Sequence, residues 1–115
     1  MTPVIATTKI LAQRPGEEPF ELEVQIGTPY KIDSDEWACP VAVTPLYRQL
    51  HDAHGTCSFQ ALCLASALAL DLLQGFKEKG GSLFIAPGEE FPLEAYSFGI
   101  AARAPAGGDL AHFDG

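Results

Sequence analysis

Hydrophobic and polar residues alternate most cleanly over residues 20–26, where Phe20, Leu22, Val24 and Ile26 are separated by Glu21, Glu23 and Gln25. A period of two sends successive side chains to opposite faces of a strand, so the segment predicts a sheet with one buried and one acidic face. Upstream, residues 4–11 are rich in Val, Ile and Thr and lead into Arg14-Pro15-Gly16-Glu17. Pro then Gly suits the two central positions of a type II turn, which predicts a hairpin joining the two strands. Gly27-Thr28-Pro29 ends the second strand, and residues 30–36 read as a polar loop. A third strand starts near Trp37, with Trp37, Cys39, Val41 and Val43 on one face. Pro40 and Pro45 lack a ladder donor, which predicts an edge position or bulges.

The period then changes. Residues 51–55 must turn the chain, and from Ser58 to about Lys79 the sequence is Ala- and Leu-rich without β-branched residues in its interior, which favours helix. Gly80-Gly81 stops it. One stripe of this helix comprises Phe59, Leu62, Ser66, Ala69, Leu73 and Phe76, and a second comprises Leu64, Leu68 and Leu72. That arc is wider than one sheet face covers. The expected cover is the C-terminal segment: a short apolar strand over residues 82–86, then Phe91, Leu93, Tyr96, Phe98 and Ile100 folding back. The alternative is a homodimer that buries Leu68 and Leu72, or a groove for a partner.

Composition narrows the functional classes. The chain has 115 residues, 47% hydrophobic and 19% charged, which suits one globular domain. Fifteen acidic against seven basic residues give a net charge of −8, so nucleic acid is not expected as a ligand, whereas a basic protein would be attracted. Residues 1–9 show no signal-peptide pattern, and the three cysteines, Cys39, Cys57 and Cys63, form no paired framework. The expectation is a cytoplasmic protein with reduced thiols. The apolar stretch over residues 61–73 is interrupted by Ser66 and Asp71 and is shorter than the roughly 20 residues a bilayer requires, so no membrane span is expected.

Candidate chemistry is sparse. His51, His54 and Cys57 are valid zinc ligands, but the histidines are three apart in a turn rather than four apart on a helix, so no metal is expected. Cys57 lies near a helix start, where a thiol is acidified, yet nothing around it completes a nucleophilic site. Asp33-Ser34-Asp35-Glu36 opens like a calcium loop but lacks its glycine and distant glutamate. No phosphate-cradling glycine pattern is present, and no cofactor is expected.

The helix entry Gly55-Thr56-Cys57-Ser58-Phe59-Gln60-Ala61-Leu62-Cys63-Leu64-Ala65 resembles the signature of the small bacterial DUF6968-type family, in which glycine, an acidic residue, Ser, an apolar residue and Gln-Ala-Leu open an Ala/Leu-rich helix. Trp37-Ala38-Cys39-Pro40 is similar to that family's Trp-x-Cys strand, and Ile26-Gly27-Thr28-Pro29 to its Ile-Gly-x-Pro. Cys57 stands where the family usually has an acid. The helix cap is therefore expected from Thr56 or Ser58, with Gln60 reaching back. The resemblance implies a sheet packed on one long helix and implies no activity, because the family has none assigned.

These readings converge on an α+β fold in the order β-β-β-α-β, an antiparallel three- to four-stranded sheet packed against one long helix. A single domain is expected over residues 1–100, with a loosely ordered tail over 101–115. The functional expectation is a small acidic binding protein of the immunity-protein or inhibitor type, without catalysis, that engages a basic partner. Its expected contact residues are Tyr30, Asp33, Asp35, Glu36 and Trp37, since aromatics beside charges are typical interface anchors. The alternatives are a homo-oligomeric structural domain and a metal or thiol enzyme using His51, His54 and Cys57.

Overall fold

A computed structural model describes residues 1–48 and 50–97 of the chain. The expected tail over 101–115, with Phe98 and Ile100, lies outside the described residues. The architecture is α+β, as the sequence predicts: antiparallel sheets packed on one long helix. The strands are more numerous than expected and form two sheets.

The larger sheet begins with the predicted hairpin, β1 (Val4–Gln13) and β2 (Phe20–Gly27), paired antiparallel with Ile10 opposite Leu22. Its connection is the expected turn, closed by a bond from Glu17 N to Arg14 O (3.1 Å) with Gly16 at φ +72°. For the next segment the sequence predicts a polar loop and the start of one long strand. Instead β3 (Tyr30–Asp33) pairs with β4 (Glu36–Cys39), and β5 (Val41–Thr44) follows after the single residue Pro40. Asp33 Oδ1 accepts from Asp35 N (3.0 Å) and shapes the turn between β3 and β4.

Pro40 divides the predicted third strand between two sheets. Cys39 pairs with Ala53 of β6 (Ala53–Gly55), whereas Val41 pairs with Ile26 of β2. Proline has no N–H for either ladder and a fixed φ, so the chain changes sheets where a continuous strand would lose a bond. Pro40 O still accepts from Gly27 N (2.9 Å), which ties the corner to the end of β2. The order β5-β2-β1 is completed by β7 (Ser82–Ala86) and β8 (Glu89–Glu90), and the smaller sheet runs β3-β4-β6. The His51–Gly55 stretch expected only to turn the chain therefore also supplies an edge strand.

Helix α1 (Ser58–Glu78) spans both sheets. Its entry corrects the expected cap. The N-cap is Cys57, whose Sγ accepts from Gln60 N (3.4 Å), while Gln60 Oε1 reaches back to Thr56 N (2.7 Å). The chain is extended at Cys57, so its own short side chain lies nearest the free amides of the first turn. Gly55 lies directly under this turn: a Cβ there would stand 2.7 Å from Ala61 N. At the other end Gly80 N bonds Lys77 O and Gly81 N bonds Phe76 O, the paired closure typical of a glycine stop.

The buried face of α1 keeps Ala69, Leu73 and Phe76 of the predicted stripe and departs from it in the first two turns. Ala61, Ala65, Ala69, Leu73 and Phe76 are buried, whereas Phe59 is 72% exposed. Two successive steps of four, from Ala61 to Ala65 to Ala69, repeat the same small side chain, and small residues let the helix axis approach the sheets closely. Of the second predicted stripe, Leu64 is exposed, while Leu68 and Leu72 pack half-buried against the core. By length and a mean hydropathy of 1.5, α1 is long and apolar enough to cross a bilayer; here its alanine row packs on both sheets.

Leu83 of β7, Phe91 and Leu93 are buried in one cluster with the helix and both sheets, so the C-terminal cover is present as far as the described residues extend. Phe91 stacks on Tyr96 in the 3₁₀ helix Leu93–Ser97, with ring centroids 4.5 Å apart. At the lower end Arg14 lies 5.3 Å over the Phe20 ring and 5.8 Å over Phe76, capping the cluster with a cation–π contact.

The alanine row makes a direct prediction. Replacing buried Ala65 by Leu inserts three carbons into the helix–sheet seam and should lower unfolding free energy in urea by about 1–3 kcal/mol. Ala67→Leu, on the exposed side of the same helix, should change it by less than about 0.5 kcal/mol. Equal effects would contradict the packing described here.

Candidate functional site

The smaller sheet has two unlike faces, and strand register assigns its residues to them. Trp37, Cys39 and Ala53 face α1 and join the core, with Trp37 and Ala53 half-buried. On the opposite face Tyr30, Ala38 and His54 form one cross-strand row, and Glu36 lies two residues from Ala38 on the same strand. Alternation therefore divides the expected contact set. Tyr30 and Glu36 lie on the outer face, Asp33 and Asp35 lie in the exposed turn beside it, and Trp37 points the other way into the helix contact.

Two hydrogen-bonded pairs decorate the outer face. Tyr30 Oη donates to Asp52 Oδ2 at 2.5 Å, and His54 Nδ1 lies 2.6 Å from Glu36 Oε2. Both pairs are exposed and solvent-screened, so their contribution to stability is small. Their effect is to fix the side chains that this surface presents. The Asp52 carboxylate, by accepting the phenol proton, holds Tyr30 above the ordinary tyrosine range; slight desolvation and the same negative charge act in that direction too.

Beside this row lies an open depression of about 420 Å³ where the two sheets meet at the Pro40 corner. Met1, Pro40, Val41, Ala42 and Leu50 supply its apolar part, and Thr2, Tyr30, Arg48 and Asp52 its polar part. The adjoining N-terminal residues are anchored by Thr28, whose N and Oγ1 both donate to Pro3 O at 2.9 and 2.7 Å, and by Thr2 Oγ1 donating to Thr28 O at 2.8 Å.

Among the described residues no three His, Cys, Asp or Glu side chains gather in a way that holds a metal ion. His54 is engaged by Glu36, and Cys57 Sγ is engaged by the first turn of α1. Cys39 is buried and donates to Gly27 O (3.3 Å); burial, with the Asp52 charge adding to it, pushes its thiol up and keeps it protonated. No sequence pattern assigns Arg48, Asp52 or His54 to this region. Only the β3-β4-β6 topology brings residues 18 and 22 positions apart into contact, and no local pattern encodes it.

No family model matches the chain, and no curated protein or solved structure matches it either.

Tyr30 provides a measurable signature of the outer face. Its folded-state value is raised, so the phenol–carboxylate bond is intact below about pH 10 and is lost as pH climbs through the folded value. An NMR titration of the ring carbons should place Tyr30 above 10 in the native chain. In Asp52→Asn, which removes the charge, the midpoint should fall back towards 10; an unchanged midpoint would contradict the pairing.

Proposed function

We propose that the protein is a binding protein without catalysis, an inhibitor or immunity-type module that occupies a basic protein partner through the outer face of its smaller sheet. The observation that carries this reading is the company on that face. Exposed Tyr30 (37%) and Ile32 (46%) stand beside Asp33, Asp35 and Glu36, and the β3–β4 hairpin carries them away from the core. An aromatic and an aliphatic anchor ringed by carboxylates suits a surface that buries a small apolar centre under a charged rim. The net charge of −8 would speed encounter with a partner of opposite sign. Fixing Tyr30 by Asp52 and Glu36 by His54 reduces the side-chain entropy lost on association. Trp37 supports the hairpin from behind and is not a contact residue in this reading.

The test is capture of the partner from the lysate of the source organism, followed by stopped-flow association at several salt concentrations. A stoichiometric basic partner is expected, with an association rate that falls about tenfold or more between 50 and 500 mM NaCl. Glu36→Gln combined with Asp33→Asn should flatten that salt dependence, and Tyr30→Ala should raise the dissociation rate. A partner whose association ignores salt and both variants would show that another surface is used.

A further inference from the structure

The depression at the Pro40 corner has a property that the partner-binding reading does not use. It holds two opposite charges that do not meet. Arg48 and Asp52 both line it, yet among the described residues Arg48 forms no ion pair, and Asp52 is engaged by the Tyr30 phenol instead. In a chain with seven cations and fifteen carboxylates, a guanidinium left unpaired beside an aspartate across about 420 Å³ is a charge arrangement open to a third party. The floor between them, Pro40, Val41, Ala42 and Leu50, is apolar, and Val41 and Ala42 are buried.

We propose that this depression binds a small amphoteric molecule of the amino-acid class, one carrying a carboxylate, an ammonium group and an aliphatic side chain. Each part follows from one wall. The guanidinium of Arg48 offers paired N–H donors to a carboxylate, a geometry that an ammonium of lysine would not reproduce. The Asp52 carboxylate retains lone pairs beyond the one used by Tyr30, so it accepts from an ammonium, and the Tyr30 ring borders the same space. A leucine- or methionine-sized side chain then covers Val41, Ala42 and Leu50. A purely anionic ligand would leave Asp52 facing like charge, and a purely cationic one would face Arg48. The volume lies within the range of small-molecule sites. The inference goes beyond the partner-binding reading and does not depend on it: the ligand occupies the corner, whereas the partner covers the hairpin.

The experiment is isothermal titration of the full chain with L-leucine, accompanied by amide chemical shifts. The expected result is saturable binding with a Kd below 1 mM and shifts centred on Val41, Ala42 and Leu50. N-acetyl-L-leucine, which lacks the ammonium, and L-leucinamide, which lacks the carboxylate, should each bind at least tenfold more weakly. Arg48→Gln, at an exposed position, should do the same for L-leucine while leaving the thermal midpoint unchanged. No saturation at 10 mM L-leucine would overturn the proposal. Equal affinity for N-acetyl-L-leucine would also overturn it, because the site would then be reading a carboxylate alone, as at a polypeptide C-terminus. Neither result bears on capture of a protein partner, so the two readings fail separately.

Discussion

The row of alanines along α1 is the contact on which the rest of the structure depends. Ala61, Ala65 and Ala69 are buried almost completely, and the helix that carries them touches strands of both sheets. Small side chains at a spacing of four bring the helix backbone close to the strands, and the same closeness explains why Gly55 has no room for a methyl group. Leu73 and Phe76 widen the contact towards the far end, where Phe20 meets Phe76 edge-on with ring centroids 6.2 Å apart. One helix thus serves as the floor for two sheets, and the buried side chains of all three form a single cluster.

With the helix placed, the Pro40 corner decides what faces outwards. Before the corner, β4 pairs with β3 and β6; after it, β5 pairs with β2. The chain therefore turns Trp37 and Cys39 inwards against α1 and presents Glu36 and the row Tyr30, Ala38 and His54 to the other side. The depression lined by Arg48 and Asp52 occupies the angle between the two sheets, so it is a product of the same break. A strand continuous through residue 40 would have no corner and no depression. The outer face and the depression beside it are in this sense a consequence of one missing N–H group.

Much of the fold was legible because it is encoded locally. The alternation from Phe20 to Ile26, the Pro-Gly turn, the Ala/Leu helix and its glycine stop are each properties of a few neighbouring residues, and each is found where expected. What could not be read was set by distant pairing. The polar loop became β3 because β4 lies beside it, and residues 53–55 became a strand because β4 offers a free edge. The first two turns of the helix face differ from the predicted stripe for a related reason. Hydrophobicity favoured Phe59 and Leu62 over Ala61 and Ala65, but close approach selects small side chains, and a pattern of apolar positions does not distinguish large from small. Of the expected contact residues, Tyr30, Asp33, Asp35 and Glu36 lie together on or beside one face. Trp37 is separated from them by the strict alternation of β4, which turns it inwards against the helix.

If one helix holds both sheets in a single core, the smaller sheet should have no independent existence. Native-state amide hydrogen exchange at increasing denaturant tests this most directly. The account predicts that protected amides of β4, β5 and the middle of α1 merge into one opening reaction, with the free energy of global unfolding. Exchange of β4 and β6 through a separate, lower-energy opening, while β1, β2 and α1 remain protected, would contradict it and show that the smaller sheet is an appendage on a core it does not share.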